Sequence, residues 1–363
     1  MRIGYTFYKN EGRKITGINQ VIKRVSEEIL QMDTNNQYYS LENNYLNLPL
    51  KGVKEAPCFK DSETRQGMIR MMGSRYDIEL IHSYFYAFDM LENRYKRVLT
   101  IYDIMPLTYE KNLLTEHFEG PLKRSAQVAD KIIAVSEYTK QDIIKYYGVS
   151  EEKIEVIYLG PMSTNNYKKV EANAILKYGL RAGGYLLTVC TLARRKNVDG
   201  LINAFGDFKH KYNDSELKLV IVGRTSGDNV YNELIYKAAA ACGNVIVLGY
   251  VDNDLLVELY QNCLAFTFVS LYEGFGLPII EAMQYGKAVI TSNITSMPEV
   301  GGDAAIYCNP YERESILEAI ETVVFNEQER KKCEKMAVVQ SKKFSYEITA
   351  IKTLEVYRSL GAK

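Results

Sequence analysis

The sequence has few of the residues and patterns that mark a metal site, a disulfide framework or a membrane span. Only three histidines occur, at 82, 117 and 210, and their spacing does not match a zinc site. The six cysteines form no CxxC pair and lie mostly in apolar text, which is typical of reduced core thiols. The longest apolar stretch, 263–271, has nine residues, less than half of what a membrane-spanning helix needs.

The chain also lacks an excess of charge. It has 45 Lys and Arg against 45 Asp and Glu, so a nucleic-acid partner is not expected. Local basic clusters leave open a weak peripheral contact with anionic lipid, the alternative being ordinary solvated faces. These clusters are Lys9, Arg13, Lys14, Lys23 and Arg24, and then Arg94, Lys96 and Arg97. The first eight residues do not resemble a signal peptide, so we expect a cytoplasmic protein.

The order of the elements indicates the fold class. A chain of 363 residues exceeds what one hydrophobic core usually serves. Short β-rich runs alternate with amphipathic helical stretches, the pattern of parallel α/β sheets. A polar stretch at 163–172 predicts a linker. We therefore predict two Rossmann-like domains facing a cleft, residues 1–165 and 166–344, with a C-terminal helix in 345–363 that crosses back to the first domain.

The most informative segment is 271–286, which reads LYEGFGLPIIEAMQYG. It places Gly274 and Gly276 at a tight turn after a predicted strand, and Pro278 in the first turn of a helix. A helix that begins at the carboxyl end of a parallel strand directs free N–H groups at an anion. Glu273 and Glu281, eight positions apart, can then face one ligand. Alternatively, they only complement the helix dipole, worth about 0.3–1 kcal/mol each.

The run EGFGLPIIEAM resembles the signature of retaining glycosyltransferase family 4, whose members have the GT-B fold. The resemblance covers nearly the whole chain. It is carried further by TLARRKN at 191–197, AVSEYTKQD at 134–142, GYVD at 249–252, TSNITSMPE at 291–299 and GGDAA at 301–305. It implies transfer of a hexose from a nucleotide-diphosphate sugar to a saccharide or lipid-linked oligosaccharide, with no metal and no other cofactor.

The resemblance also implies roles for particular residues. Arg195 and Lys196 would grip the diphosphate, because the charge that grows on a leaving group needs fixed cations. Glu273 would contact the donor sugar and Glu281 would hold the ribose. The other donor-side residues implied are Gly17, Tyr250, Val251, Gly274, Phe275, Gly276 and Leu277.

The segment 100–106 departs from the family. The family usually has a histidine that faces the reacting sugar, and this chain has Tyr102 in its place. Asp103 follows, and it either orients an acceptor hydroxyl or only forms a turn. His82, at the end of another predicted strand, is a second acceptor-side candidate, with a hydrogen-bonded buried histidine as the alternative.

The donor and the exact activity are less strongly indicated. Segment 291–305 resembles that of mannosyl- and rhamnosyl-transferring members that build bacterial surface polysaccharides, so GDP-mannose is the first expected donor. One alternative is a UDP-sugar 2-epimerase of the same fold, against which the EGFGLP run argues. Another is a catalytically idle, nucleotide-sugar-binding subunit, which Tyr102 leaves open. The sequence does not decide between same-face attack and a covalent intermediate, although no carboxylate is clearly placed for the latter.

Overall fold

The computed structural model describes residues 1–6, 17–41, 71, 73–84, 94–104, 116–161 and 174–362. The chain divides into two compact units, Met1–Gly160 with Ser345–Lys363, and Pro161–Phe344. The first unit therefore ends at Gly160, whereas the sequence placed the domain boundary at residue 165. The predicted linker at 163–172 lies outside the described residues, as do Lys9, Arg13 and Lys14.

The first unit is built on a six-stranded parallel sheet of order β2-β1-β3-β4-β5-β6. Its strands are β1 Arg2–Thr6, β2 Gln37–Ser40, β3 Leu80–Ser83, β4 Lys96–Ile101, β5 Lys131–Ala134 and β6 Ile154–Val156. Its helices are α1 Gly17–Met32, α2 Glu116–Val128 and α3 Glu137–Tyr147, with the C-terminal helix Tyr346–Ser359. Ser136 begins α3 by accepting a hydrogen bond from the Thr139 backbone N–H, and Gly148 ends it in the left-handed conformation.

The C-terminal helix packs on the first unit, as the sequence predicted. Tyr357 is fully buried, and its hydroxyl lies 2.5 Å from Nδ1 of His82. Thr349 Oγ1 donates to the Tyr158 carbonyl at 2.7 Å. Gly160 permits this packing, because a Cβ there would come within 2.3 Å of the Tyr346 backbone nitrogen.

The second unit repeats the architecture with strand order β12-β11-β10-β7-β8-β9. Its strands are β7 Tyr185–Val189, β8 Lys218–Val222, β9 Val245–Gly249, β10 Ala265–Phe268, β11 Val289–Ser292 and β12 Ala305–Cys308. Its helices are α4 Val198–Lys211, α5 Asn229–Cys242, α6 Asn253–Asn262, α7 Leu277–Gln284, α8 Met297–Gly301, α9 Arg313–Phe325 and α10 Glu327–Ser341. All pairs in this sheet are parallel, so the loops after the strands emerge at one edge.

Two parallel α/β sheets confirm the predicted fold class. Lys23 and Arg24, from the basic clusters, lie on α1 at 3.8 and 3.6 Å from carboxylate oxygens of Glu27. Arg97 Nε lies 3.6 Å from Asp130 Oδ2. No helix among the described residues is long and apolar enough to cross a bilayer.

The buried hydroxyl of Tyr357 offers a test of this packing. We expect Tyr357→Phe to lower the free energy of unfolding by about 1–3 kcal/mol, because a buried ring nitrogen of His82 then loses its partner. The measurement is the midpoint of the urea transition. Tyr311→Phe is the matched control, since Tyr311 is 67% exposed. Equal midpoints for the two variants would contradict this account.

Candidate functional site

A short 3-10 helix, Arg194–Lys196, follows β7 and places three cations at the carboxyl edge of the second sheet. It ends at Asn197, which adopts the left-handed conformation with φ 53°. The Asn197 side chain is buried and donates to the Pro310 carbonyl at 2.8 Å. The turn that carries Arg195 and Lys196 is therefore fixed at its end by a long-range hydrogen bond.

Glu273, in the loop after β10, meets Arg195 and Lys196. Its Oε1 accepts a hydrogen bond from Lys196 Nζ and lies 3.0 Å from Arg195 Nη1. The side chains of Arg195, Lys196 and Glu273 are only 23%, 10% and 11% exposed. The Leu271 backbone N–H also donates to the Arg195 carbonyl at 2.7 Å. We call the side chains of Arg195, Lys196 and Glu273 the ion-pair cluster.

The ion-pair cluster carries one more positive than negative charge. Burial by itself raises the pKa of Glu273, but the charges of Lys196 and Arg195 outweigh it and hold that pKa below its usual value. Burial lowers the pKa of Lys196, and Arg195 adds to this while Glu273 opposes it. Two cations with one carboxylate can accept a further anion more readily than a balanced pair can.

The turn before α7 has the geometry that the sequence predicted. Gly276 has φ 119°, which favours glycine, and α7 begins at the next residue with Pro278 in its first turn. The first N–H groups of α7 have no acceptor within the helix itself. Together with Gly274, Phe275 and Leu277, this turn lies in the same loop as Glu273.

Hydroxyl groups at the end of β11 and in the segment after it hold this loop in place, and sequence reasoning missed them. Ser296 Oγ contacts the carbonyl oxygens of Phe275 at 2.7 Å and Glu273 at 3.0 Å. Ser292 Oγ donates to the Ser270 carbonyl at 2.7 Å. The signal in the sequence is the TSNITS run at 291–296, which belongs to the segment that carries the family resemblance but does not show that its hydroxyls contact the loop after β10.

Glu281, the second glutamate of the signature run, lies on α7. Its Oε2 accepts a hydrogen bond from the Tyr260 hydroxyl at 3.0 Å. Burial raises the pKa of Glu281, although this hydrogen bond opposes the shift. The two glutamates of the signature therefore differ, because cations hold Glu273 ionised, whereas Glu281 accepts a hydrogen bond from a neutral donor, with no cation paired to it among the described residues.

The loops after β8 and β9 carry Arg224, Tyr250 and Val251. The Arg224 guanidinium lies over the Tyr250 ring, 4.5 Å from its centroid. Gly223, just before it, has φ 145°, and a Cβ there would lie 1.7 Å from the Cys190 carbonyl oxygen. The sequence predicts Tyr250 and Val251 as donor-side residues, and it did not indicate that Arg224 lies beside Tyr250, a contact that follows from the order of the strands.

Among the candidates in the first unit, Gly17 is the first residue of α1, and Tyr102 and Asp103 directly follow β4. Both of these side chains are half-buried. Burial raises the pKa of Tyr102 well above its usual value, so its hydroxyl stays protonated at neutral pH.

The acceptor-side assignment of His82 is wrong. His82 is 1% exposed, and its Nε2 lies 2.8 Å from Thr100 Oγ1 while Nδ1 meets Tyr357. Burial lowers the pKa of His82 to about 3. The residue is a neutral, hydrogen-bonded core histidine, because β3 lies inside the sheet, between β1 and β4, and the C-terminal helix covers it.

Comparison with known proteins identifies the family. A model of glycosyl transferases group 1 matches residues 181–339, and a model of glycosyltransferase family 4 matches 56–160. O-antigen chain mannosyltransferase B of Escherichia coli is 31% identical over 282 residues, which cover 74% of this chain and 72% of that protein. The chain belongs to glycosyltransferase family 4. The ion-pair cluster and α7 of this transferase lie within the part matched by the group 1 model.

Other relatives extend the comparison. The serotype-specific mannosyltransferase WbdA of Escherichia coli is 28% identical over 283 residues, 73% of this chain but only 34% of WbdA, so the chain spans about a third of that relative. A glycosyltransferase from Rickettsia africae ESF-5 superposes with TM-score 0.77 at 19% identity, covering 100% of this chain and 99% of that one. The structure of Anabaena HepE in complex with UDP and glucose superposes with TM-score 0.77 at 17% identity, covering 98% of this chain and 99% of that one. These structures share the GT-B fold with this transferase.

The opposite pKa shifts of the two glutamates predict opposite pH dependences of stability. Glu273 has a lowered folded pKa, so its contribution is present above the unfolded value of about 4.3 and is lost as pH falls further. We expect Glu273→Gln to be less stable than the wild type at pH 7, and the difference to shrink below about pH 4.

Glu281→Gln is the matched control, because the raised pKa of Glu281 means that its charged form destabilises the folded state. Relative to the wild type, this variant should become more stable as pH rises from 4 to 7. Urea unfolding at each pH measures both differences. A destabilisation by Glu273→Gln that does not change with pH would contradict the assignment.

Proposed function

We propose that this chain transfers a mannosyl residue from GDP-mannose to a saccharide or lipid-linked oligosaccharide acceptor during synthesis of a surface polysaccharide, with retention and without a metal. The observation that carries the proposal is the ion-pair cluster beside the start of α7. The mannosyl donor is supported by the relatives, among them the O-antigen chain mannosyltransferases B of Escherichia coli and RfbU of Salmonella typhimurium.

The charges of the cluster suit a departing nucleoside diphosphate. Arg195 and Lys196 are cations held in a fixed turn. They therefore need to move little when negative charge develops on the leaving group. Glu273 pairs with both of them. We infer that the diphosphate replaces the Glu273 carboxylate on the two cations, which frees Glu273 to accept hydrogen bonds from hydroxyls of the donor sugar.

Retention is proposed to occur by attack on the face from which the diphosphate departs. The acceptor oxygen forms a bond to the anomeric carbon as the bond from that carbon to the phosphate oxygen breaks. The acceptor proton passes to the departing phosphate oxygen, so no covalent sugar–enzyme intermediate is needed.

The first unit would supply the acceptor side. Asp103 is proposed to orient the attacking hydroxyl, and Tyr102 to donate a hydrogen bond where the family usually has histidine. A protonated tyrosine can fill the second role, since a raised pKa keeps its proton in place. Gly17 would allow a close approach of backbone to the donor phosphate.

Removal of one cation tests the role of the cluster. We expect Lys196→Ala to lower kcat by two or more orders of magnitude, on the order of 3 kcal/mol, because a cation at the leaving group acts mainly in the transition state. Arg194→Ala is the matched control in the same turn. Arg194 is 55% exposed and pairs with Asp228, so its loss should leave kcat nearly unchanged. Equal kcat in both variants would refute the diphosphate assignment.

The donor is tested by turnover of GDP-mannose, UDP-glucose and ADP-glucose with EDTA present throughout. Of the three donors, we expect only GDP-mannose to be turned over, with release of GDP. We expect NMR to show that the new glycosidic bond in the product has the anomeric configuration of the donor. Loss of activity in EDTA would contradict metal independence, and an inverted product would contradict retention. Binding of a nucleotide sugar without turnover on any acceptor would favour the idle binding subunit.

A further inference from the structure

The loops that follow β7, β8 and β9 form one row at the carboxyl edge of the second sheet. Their strands are adjacent, and they end level with each other, since Val189 pairs with Val222 and Val222 with Gly249. Neighbouring strands lie about 4.8 Å apart, so the loop after β9 is roughly 10 Å along the edge from the loop after β7. A nucleoside diphosphate whose phosphates lie at Arg195 and Lys196 can therefore extend along this row towards Arg224.

The backbone beneath Arg224 is firmly held. The Arg224 carbonyl accepts a hydrogen bond from the Leu192 N–H at 2.8 Å, and the Gly223 N–H donates to the Gly249 carbonyl at 2.8 Å. These bonds tie the loop after β8 to both of its neighbours. The backbone position of Arg224 is therefore fixed, as is required of a residue that recognises a ligand through a specific geometry.

The Tyr250 ring orients the guanidinium of Arg224, and among the described residues the N–H groups of this guanidinium donate to no protein acceptor. It lies over the Tyr250 ring at 4.5 Å, and this contact restricts the guanidinium to one plane. In the described parts of the chain, no carboxylate or carbonyl forms an ion pair or hydrogen bond with that guanidinium. Arg194, by contrast, donates to Asp228 at 2.8 Å, and Arg195 meets Glu273. Arg224 is half-buried, so its planar fork of N–H groups still reaches solvent.

The shape of this fork selects among nucleobases. Two parallel N–H donors match two adjacent acceptors, and guanine presents O6 and N7 side by side on one edge. Adenine places a donor beside N7, and the uracil edge alternates acceptor and donor. A bidentate arginine therefore favours guanine over the other bases of nucleotide sugars.

We propose that Arg224, held by Tyr250, reads the O6 and N7 edge of guanine in the donor and sets the preference of the enzyme for a guanine nucleotide. This inference rests on the proposed function. It deepens that function by assigning base recognition to a residue that lies outside both the signature run and the 3-10 helix Arg194–Lys196. Arg224 determines specificity, whereas Arg195 and Lys196 hold the diphosphate.

Isothermal titration calorimetry with GDP, 7-deaza-GDP, UDP and pyrophosphate tests the assignment. 7-Deaza-GDP lacks only the N7 acceptor. The wild type should bind GDP about 5-fold or more tightly than 7-deaza-GDP, because one of two hydrogen bonds is lost. Arg224→Ala should weaken GDP binding by about 5- to 150-fold, the discrimination of one bidentate contact. It should also make the affinities for GDP and 7-deaza-GDP nearly equal, and leave pyrophosphate binding unchanged.

Two further variants separate shape from charge. Arg224→Lys keeps the charge but replaces the planar fork with a single nitrogen on a flexible stem, so it should reduce the distinction between GDP and 7-deaza-GDP without abolishing it. Arg181→Ala should leave every affinity unchanged, because Arg181 is 69% exposed and pairs with Glu216 before β7 begins. Circular dichroism checks that each variant is folded.

Three results would overturn the inference in distinguishable ways. An equal loss of GDP, UDP and pyrophosphate binding in Arg224→Ala would show that Arg224 contacts phosphate. Tighter wild-type binding of UDP than of GDP would remove the guanine preference but leave a nucleotide-sugar transferase. Failure of the folded wild type to bind any nucleotide would overturn the proposed function together with this inference.

Discussion

The contact of Glu273 with Arg195 and Lys196 joins the two loops on which the rest of the candidate site depends. These charges are largely removed from solvent, and removing one partner of a buried pair typically costs about 3–5 kcal/mol. The loops after β7 and β10 are therefore bound to each other by charge as well as by the backbone hydrogen bond from Leu271 to Arg195. The turn that starts α7 takes its position from this contact.

This arrangement pairs the two cations with a carboxylate of the protein itself. A carboxylate of the protein occupies the place where anionic ligand oxygens are proposed to bind, so the cations are never without a counter-ion. The cost of stripping water from Lys196 is met during folding, before a donor arrives. On the proposed assignment a diphosphate would have to compete with Glu273 for these cations, which would lower its affinity and ease its release as product.

The sequence was informative where local chemistry decides the conformation. Gly276 and Pro278 mark a turn and a helix start that nearby atoms impose, and the alternating pattern indicated both sheets. Helices α8, α9 and α10 and the short strands β2 and β12 were not predicted. In α10 the run EQERKKCEKM is almost entirely polar, so its few buried positions, among them Cys333 and Ala337, give little periodicity.

The site residues that sequence reasoning missed or misplaced depend on long-range packing. His82 stands near the end of a strand like a residue that lines a site, but its partner Tyr357 is 275 positions away. Arg224 acquires its orientation from Tyr250, on a neighbouring strand end. Neither contact leaves a trace in local spacing, because both follow from the order of strands and the course of the last helix.

The packing of the C-terminal helix on the first unit also has a consequence for how the chain is made. Pro161–Phe344 is continuous, so its whole core comes from one uninterrupted stretch of the chain. Met1–Gly160 has no cover for His82 and Tyr5 until Tyr346–Ser359 has also left the ribosome. The half of the enzyme that is translated first is therefore the half that finishes folding last.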